Sequence, residues 1–384
     1  MFDDVITQLP NTAMSTWGAL SARYASAKIL APMVRVGTLP LRLLALEYGA
    51  DLVYSPETID KRIIGSERIV NENTGTIDYV KNGALNFRTH PCEKDKLIFQ
   101  MGTADPDLAL QAALTVAQDV SGIDVNCGCP KKFSIQGGMG AALLSDPERL
   151  EKILVNLVNN CGLPVTCKIR LLKTKAETIE LIKMIERTGV KAIAVHCRTR
   201  DQRPKDKANW EMLREIIQEQ PISVPVIANG DVFNYSDIEK VCSSTGAHSA
   251  MIARGAQDNP SVFRAEGLIP LEEVVRAYVK KSVDIDNPYQ NTKYTLMQMC
   301  APLSKTSYYS DLLKAKSMLA ICESFGIESY FHEAINRRQS DSKPPEEKSQ
   351  NEENEVDGVN GRKRKYREEN GKQEEMERKA ARSA

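Results

Sequence analysis

PVTCKI (164–169), AETIELIKMIERTG (176–189) and AIAVHC (192–197) follow one another as an apolar run, a helix-like stretch closed by glycine, and a second apolar run. The two runs are short and largely apolar, and read as strands. The stretch between them repeats its apolar residues at helical spacing. Working outward, the same unit recurs along the chain. KILAPM (28–33), ADLVYS (50–55), KLIFQM (96–101), GIDVNC (122–127), PVIANG (225–230) and AMIARG (250–255) bring the number of runs to eight. Between them lie helical stretches such as PLRLLALEYGA, DPDLALQAALTVAQDV, DPERLEKILVNLVNN and YSDIEKVCSSTG, several opened by Asp-Pro or Ser-Asp and closed by Gly. Eight strand–helix units predict an α/β protein with a (β/α)8 barrel over 28–264.

Residues 1–27 precede the barrel as an N-terminal extension. Inside the barrel segment, IVNENTGTIDYV and ALNFRTH (62–90) predict an extra hairpin after the second strand, placed to cover part of the barrel mouth. Beyond 264 the strands stop, and LEEVVRAYVKK, NTKYTLMQMC, DLLKAKSMLAICESF and SYFHEAINRR predict a second, all-helical domain over 265–338. From 339 to 384 the chain holds 11 basic and 12 acidic residues with two Val and no Leu, Ile or Phe, which predicts a disordered charged tail. Arg362 to Lys365 with Arg367 reads there as a nuclear-import signal, an RNA-touching tag or a solvated charge run.

The 384 residues carry 51 basic and 51 acidic side chains, so any nucleic-acid partner must be met by a local basic surface. No apolar run reaches the ~18 residues of a membrane span. Two early acids and no basic segment at the N-terminus argue against a secretory or transit peptide, giving a cytoplasmic expectation with a possible nuclear one. Nine scattered cysteines read as reduced thiols. The one close pair, Cys127 and Cys129, is too tight for a zinc knuckle and has no partner cluster, so no metal is expected. A monomer is the expected state.

In such a barrel the chemistry gathers at the C-terminal strand ends. The polar and loop residues there are Pro32, Met33 and Arg35, then Glu57, Gln100, Asn126 and Cys129, Lys168 and Arg170, His196 and Arg198, Asn229 and Asp231, and Arg254. A Lys buried at a strand end is costly unless an anion meets it. Gly230 and Gly255 give backbone N–H groups room to approach phosphate oxygens, and Arg254 adds charge-assisted contacts. A phosphorylated cofactor fits.

The loop Asp124-Val-Asn-Cys-Gly-Cys-Pro-Lys-Lys-Phe-Ser134, followed by Gly137-Gly-Met-Gly-Ala-Ala-Leu-Leu144, resembles the signature of the flavin-dependent tRNA-dihydrouridine synthases. The resemblance extends through APMVRVGTLPLRLLALEYGADLVYSPE (31–57), FQMGTADP (99–106), CKIRLL (167–172), VHCRTR (195–200), IANGDV (227–232) and MIARGA (251–256), and spans about 28–335. The APMVRVGTLPLR opening and the NTKYTLMQM helix are similar to the eukaryotic branch acting on position 20 of the D-loop. Animal members of that branch carry a further double-stranded-RNA domain, whereas here the charged tail follows.

The resemblance implies a barrel holding FMN, NADPH or NADH as reductant, and tRNA as substrate gripped by the helical domain. Reducing the C5–C6 bond of uracil needs a hydride at C6 and a proton at C5, so flavin must face a general acid. Cys129 matches the family's acid, and an ordinary thiol with a pKa of about 8.5 stays protonated at neutral pH. Cys127 is read as packing. By the family pattern, Pro32, Met33 and Val34 lie along the flavin ring, Gln100 meets its edge, and Lys168 stabilises negative charge on it. His196 donates to ring or phosphate oxygens, while Asn229, Gly230, Asp231, Ala253 and Arg254 take the ribityl and phosphate side. Glu57 joins the cofactor contacts, with Pro56 where an acidic neighbour is expected. Asn126 and Arg198 face the uracil or its ribose. Lys131, Lys132, Arg198, Arg200, Arg203, Lys205 and Lys207 around the mouth, with Lys280, Lys281, Lys293 and Lys305 in the helical domain, make a phosphate track. The target base is expected to leave its stack and enter the pocket. No GxGxxG unit is present, so the nicotinamide reductant is expected at the same mouth, alternating with tRNA. Two other readings share many of these features: an FMN barrel acting on free pyrimidine or dihydroorotate, and a catalytically silent RNA-binding protein.

Overall fold

The computed structural model describes residues 21–341; the first twenty residues and 342–384, with nearly all of the charged tail and its basic run, lie outside the described residues. The strands are β1 (Lys28–Leu30), β2 (Leu52–Tyr54), β3 (Thr58–Ile59), β4 (Glu67–Asn71), β5 (Thr76–Lys81), β6 (Ala84–Thr89), β7 (Leu97–Gly102), β8 (Gly122–Asn126), β9 (Val165–Arg170), β10 (Ala192–His196), β11 (Val226–Asn229) and β12 (Ser249–Ile252). Eight of them are the eight expected runs. They pair in parallel in the order β1-β2-β7-β8-β9-β10-β11-β12, and β12 returns to β1, closing the barrel. The two-residue β3 only extends β7 at its C-terminal end.

The helices are α1 (Leu39–Glu47), α2 (Asp60–Ile63), α3 (Pro106–Val116), α4 (Lys132–Gln136), α5 (Pro147–Asn160), α6 (Lys175–Arg187), α7 (Trp210–Glu219), α8 (Tyr235–Thr245) and α9 (Arg254–Asp258). Their starts follow from side-chain chemistry. Asp105 Oδ1 accepts the Asp107 and Leu108 N–H groups ahead of α3, and Thr174 with Glu177 closes a capping box on α6. For α8 the cap is Asn234, with Asp237 completing the box, two residues before the Ser-Asp start read from the sequence. Outward strand residues such as Val125, Cys127 and Cys167 join the core beneath the helices. Inward residues Ile29, Leu52, Tyr54, Ile98, Ala194, Ile227 and Met251 fill the barrel's lower half.

The insert departs from the expected hairpin. IVNENTGTIDYV folds back on itself, because Asn71 Oδ1 accepts the Asn73 and Thr74 N–H groups and Gly75 takes φ +69°. Asn82-Gly83, both at positive φ, then turn β5 into β6. The result is a three-stranded antiparallel sheet, β4-β5-β6. It packs on the barrel's flank through Phe87 edge-on to Phe99 at 5.0 Å and Tyr79 donating to Asp119 at 2.5 Å. None of its residues lines the two mouth cavities described below.

Helices α10 (Leu271–Asp284), α11 (Tyr289–Met299), α12 (Ser307–Lys314), α13 (Met318–Ser324) and α14 (Glu328–Asp341) follow the barrel, and α14 carries helix three residues past 338. Barrel and helices belong to one compact unit. The loop after β1 is a joint between them. Arg35 sits at φ +69°, its carbonyl accepts from Asn291 Nδ2 at 2.7 Å, and its guanidinium lies 4.1 Å from the Tyr294 ring. Asn291 and Tyr294 belong to the NTKYTLMQM stretch, so that motif holds a loop of the barrel mouth. No helix of the described residues is long and apolar enough to cross a membrane.

Candidate active site at the barrel mouth

Strand register decides which side chains share a level. Gln100 lies beside Asp124 and Asp124 beside Thr166; one step higher, Asn126 lies beside Lys168; higher still, Arg170 lies beside His196 and His196 beside Asn229. Because strand side chains alternate, Asp124 and Asn126 face inward while Cys127 points into the outer core, fully buried. Cys129 comes after the strand has ended, at the rim.

Two adjoining cavities open there. One, of about 220 Å³, is lined by Ala31, Pro32, Val34, Glu57, Gln100, Asn126, Gly128, Cys129, Pro130, Lys168, Arg170, His196, Asn229 and Ala253. The other, of about 300 Å³, shares Pro130, Arg170, His196, Asn229 and Ala253 and adds Arg198, Arg203, Gly230, Asp231, Phe233 and Arg254 among its walls.

The floor of the first cavity is a buried polar layer. Asp124 accepts from Gln100 Nε2 at 2.8 Å and from Thr166 Oγ1 at 2.7 Å. Burial outweighs these bonds and pushes the Asp124 carboxyl up to about 6. With Nε2 committed to Asp124, Gln100 keeps Oε1, an acceptor, for whatever enters the cavity. Above it, Lys168 is lowered to about 8 by burial and then by Arg170. No described residue gives Lys168 Nζ a hydrogen bond, so this ammonium is ready for an anion. His196 is held far below the ordinary histidine range by burial and by Lys168, Arg170, Arg198 and Arg254, so it is neutral at pH 7. The Arg198 guanidinium, 3.4 Å away, can only donate, so Nε2 accepts and the imidazole proton sits on Nδ1.

The rim is shaped by the loop after β8. Arg170 Nε donates to Gly128 O at 2.6 Å and its Nη1 to Thr199 O at 3.0 Å, tying that loop to the one after β10. Gly140 sits at φ +58°; a Cβ there would collide with Ser134 Oγ and approach Cys129 O to 2.8 Å. Burial raises the Cys129 thiol, with the Lys131 backbone amide opposing and the Glu57 charge adding to the rise. Burial raises the Glu57 carboxyl, with Asn126, Cys129 and Lys131 opposing the rise.

In the second cavity Asp231, at φ +57°, accepts from Arg198 at 2.5 Å, from Arg254 at 2.6 Å and from Ala208 N at 2.7 Å. Gly230 at φ +120° leaves open the space beside His196 and Arg198, and a Cβ on Gly255 would sit 2.8 Å from Phe233 O. A cradle of this kind suits a phosphate: backbone approach at Gly230, two oriented guanidiniums and the start of a helix.

Cavity walls therefore include Cys129, Pro32, Val34, Glu57, Gln100, Asn126, Lys168, His196, Asn229, Gly230, Asp231, Ala253 and Arg254. Met33 is placed elsewhere: its side chain packs against the main core, outside the wall. Arg198 is a buried strut between Asp231 and the Asp206 carbonyl. Lys131, Lys132, Arg200 and Lys305 lie outside both cavities, at the protein surface. Lys293 donates to the Leu313 and Ala315 carbonyls and Lys281 pairs with Glu47, so these two are occupied within the fold. Arg170 and Asp124 received no role from the sequence. The alternation from Lys168 to Arg170 was the available signal for the first, and the inward parity of GIDVN for the second.

An α/β barrel with a half-buried thiol, a lysine without a hydrogen-bond partner among the described residues and a phosphate-shaped corner at its mouth is the architecture of a barrel oxidoreductase. The family model described as dihydrouridine synthase (Dus) matches residues 29–356, and the chain belongs to this family. Among curated relatives, the tRNA-dihydrouridine(20) synthase (NAD(P)+) of Schizosaccharomyces pombe is 45% identical over 313 residues, 76% of this chain and 65% of the relative. That of Saccharomyces cerevisiae is 41% identical over 316 residues, 77% of this chain and 82% of the relative. The tRNA-dihydrouridine(20a/20b) synthase of Saccharomyces cerevisiae is 37% identical over 238 residues, 61% of either chain. The chain thus spans just under two thirds of the first of these relatives and more than four fifths of the second.

Proposed function

We propose that this protein reduces the C5–C6 bond of a D-loop uridine in tRNA, at position 20, using NADPH or NADH through bound FMN. The observation that carries the reading is one cavity whose wall brings together the Cys129 thiol, Gln100, and a Lys168 ammonium with no hydrogen-bond partner among the described residues.

The residues fit a phosphorylated flavin. Gly230 and the Arg198–Asp231–Arg254 cluster suit its phosphate, and Lys168 is a half-buried cation without a hydrogen-bond partner among the described residues. Gln100 Oε1 suits an imide N–H of its ring. Bound reduced flavin supplies the hydride for C6. The chain's own residues do the rest. Pro32 and Val34 form an apolar wall at the mouth, Lys168 favours negative charge in the cavity, and neutral His196 offers a hydrogen bond without adding charge. Cys129 Sγ gives its proton to C5 from the opposite side. Its raised pKa keeps that proton in place at neutral pH, so proton donation fails only as alkaline pH deprotonates the thiol.

The test is anaerobic turnover with NADPH on tRNA transcribed without modifications, followed by mapping of dihydrouridine. Wild type is expected to modify one D-loop uridine. Cys129→Ala is expected to bind and reduce flavin normally yet lose at least about a hundredfold in product formation, the usual weight of a general acid. Flavin reduction with no change in any tRNA uridine refutes the substrate assignment.

A further inference from the structure

We propose that Asp124 is a positioning residue: its carboxylate fixes the side-chain amide of Gln100 with Nε2 turned toward the floor and Oε1 presented to the cavity, so that the site accepts a ring imide N–H. This rests on the reading of the cavity as a flavin site.

A glutamine amide has nearly the same shape in its two orientations, and only its partners choose between them. Gln100 is almost fully buried, and its backbone N–H is held by Ser55 Oγ at 3.0 Å. The side chain beside it therefore settles which amide atom faces the cavity. Strands β7 and β8 set Gln100 directly against Asp124, and Nε2 donates to Asp124 Oδ2 at 2.8 Å. The other carboxylate oxygen accepts from Thr166 Oγ1 at 2.7 Å, one strand further on. An ionised carboxylate can only accept. A Gln100 turned the other way would set Oε1 against Oδ2 with no proton between them.

The charge is costly in this place. Asp124 and Thr166 are fully buried, and among the described residues no cation forms an ion pair with Asp124; Lys168 favours its ionised form from beyond that distance. Burying a carboxylate on these terms is unfavourable. Asparagine would fill the same space without the charge, yet it carries a donor as well as an acceptor and would let Gln100 take either orientation. The carboxylate removes that choice. Gln100 and Lys168 line the same cavity and divide the recognition there: the lysine favours negative charge, and the glutamine demands an N–H.

The test is a double-mutant cycle on FMN binding to the full, flavin-free chain, with no tRNA present. Fluorescence titration gives Kd for wild type, Asp124→Asn, Gln100→Leu and the double variant. Each single variant is expected to weaken binding about tenfold, the weight of one hydrogen bond inside a buried site. Asp124→Asn is expected to cause no further loss once residue 100 is leucine. Additive losses overturn the proposal, because Asp124 would then act on the site other than through Gln100. A measurement that needs no Asp124 variant is the nuclear magnetic resonance signal of FMN labelled with ¹⁵N at its imide nitrogen. Bound to wild type, the imide N–H is expected to be hydrogen-bonded and slow to exchange with water, and to lose both properties in Gln100→Leu; an unbonded imide N–H in wild type overturns the proposal. If wild type takes up FMN yet reduces no tRNA uridine, the substrate assignment falls while the cycle and the imide signal still decide the role of Asp124. Failure of wild type to take up FMN removes the flavin reading and that role together.

Discussion

Lys168 shows how one residue's surroundings set a measurable pH range. It is a cation below about 8 and loses its charge as pH rises through that value. Binding of phosphorylated flavin to flavin-free protein is therefore expected to be nearly constant up to neutral pH and to weaken through pH 8. Lys168→Met should bind more weakly and without that inflection, which fluorescence titration of flavin at several pH values would reveal; an unchanged inflection removes Lys168 from the explanation. At this scale the sequence was legible wherever strand alternation and a strand end fix direction, as for Gln100, Asn126, Lys168 and His196. It was illegible where direction depends on a partner from elsewhere. Met33 turns outward to the core after β1 has ended, and Arg198 is captured by Asp231, 33 residues later. Neither event leaves a trace in local spacing.

Among the elements, the segment between β8 and α5, which includes α4, is tightly constrained at Gly140. Gly140 holds a left-handed conformation against Ser134 and the Cys129 carbonyl, so Gly140→Ala has neither conformational room nor space. It should cost about 1–3 kcal/mol in stability and displace Cys129, lowering product formation more than flavin content. Thermal melting and flavin content alongside turnover check this, and an unaffected turnover would show that the loop accommodates the methyl group. The apolar runs made all eight barrel strands readable. The third strand of the insert escaped because Asn71–Gly75 is a turn built by a side-chain bond inside what looks like one continuous polar strand. The helical region was readable as helices. Its grip on the mouth through Asn291, Tyr294 and Arg35 was not, since it joins residues more than 250 positions apart.

For the whole molecule, the proposed function and a near-neutral overall charge together put the burden of holding RNA on local cations. Lys131 and Lys132 follow Cys129 closely along the rim loop, outside both cavities. The double variant Lys131→Glu, Lys132→Glu is expected to leave flavin binding intact, weaken tRNA binding, and flatten the dependence of log affinity on log salt by about 0.7–0.9 for every phosphate that is no longer neutralised. Binding isotherms at several salt concentrations measure that slope; an unaltered slope places the RNA backbone elsewhere. The closure of the barrel carries a further consequence, in the time domain. β1 pairs with β12, Lys28 against Ala250, so one edge of the first strand to be synthesised has no neighbour until residues 249–252 leave the ribosome. Pairings so distant in sequence form late and slowly, and an open edge in the meantime can pair with another chain. Growing chains of this protein accordingly need that edge shielded for more than two hundred residues of synthesis, and yield of soluble protein should depend on chaperone supply more than on the stability of the finished barrel.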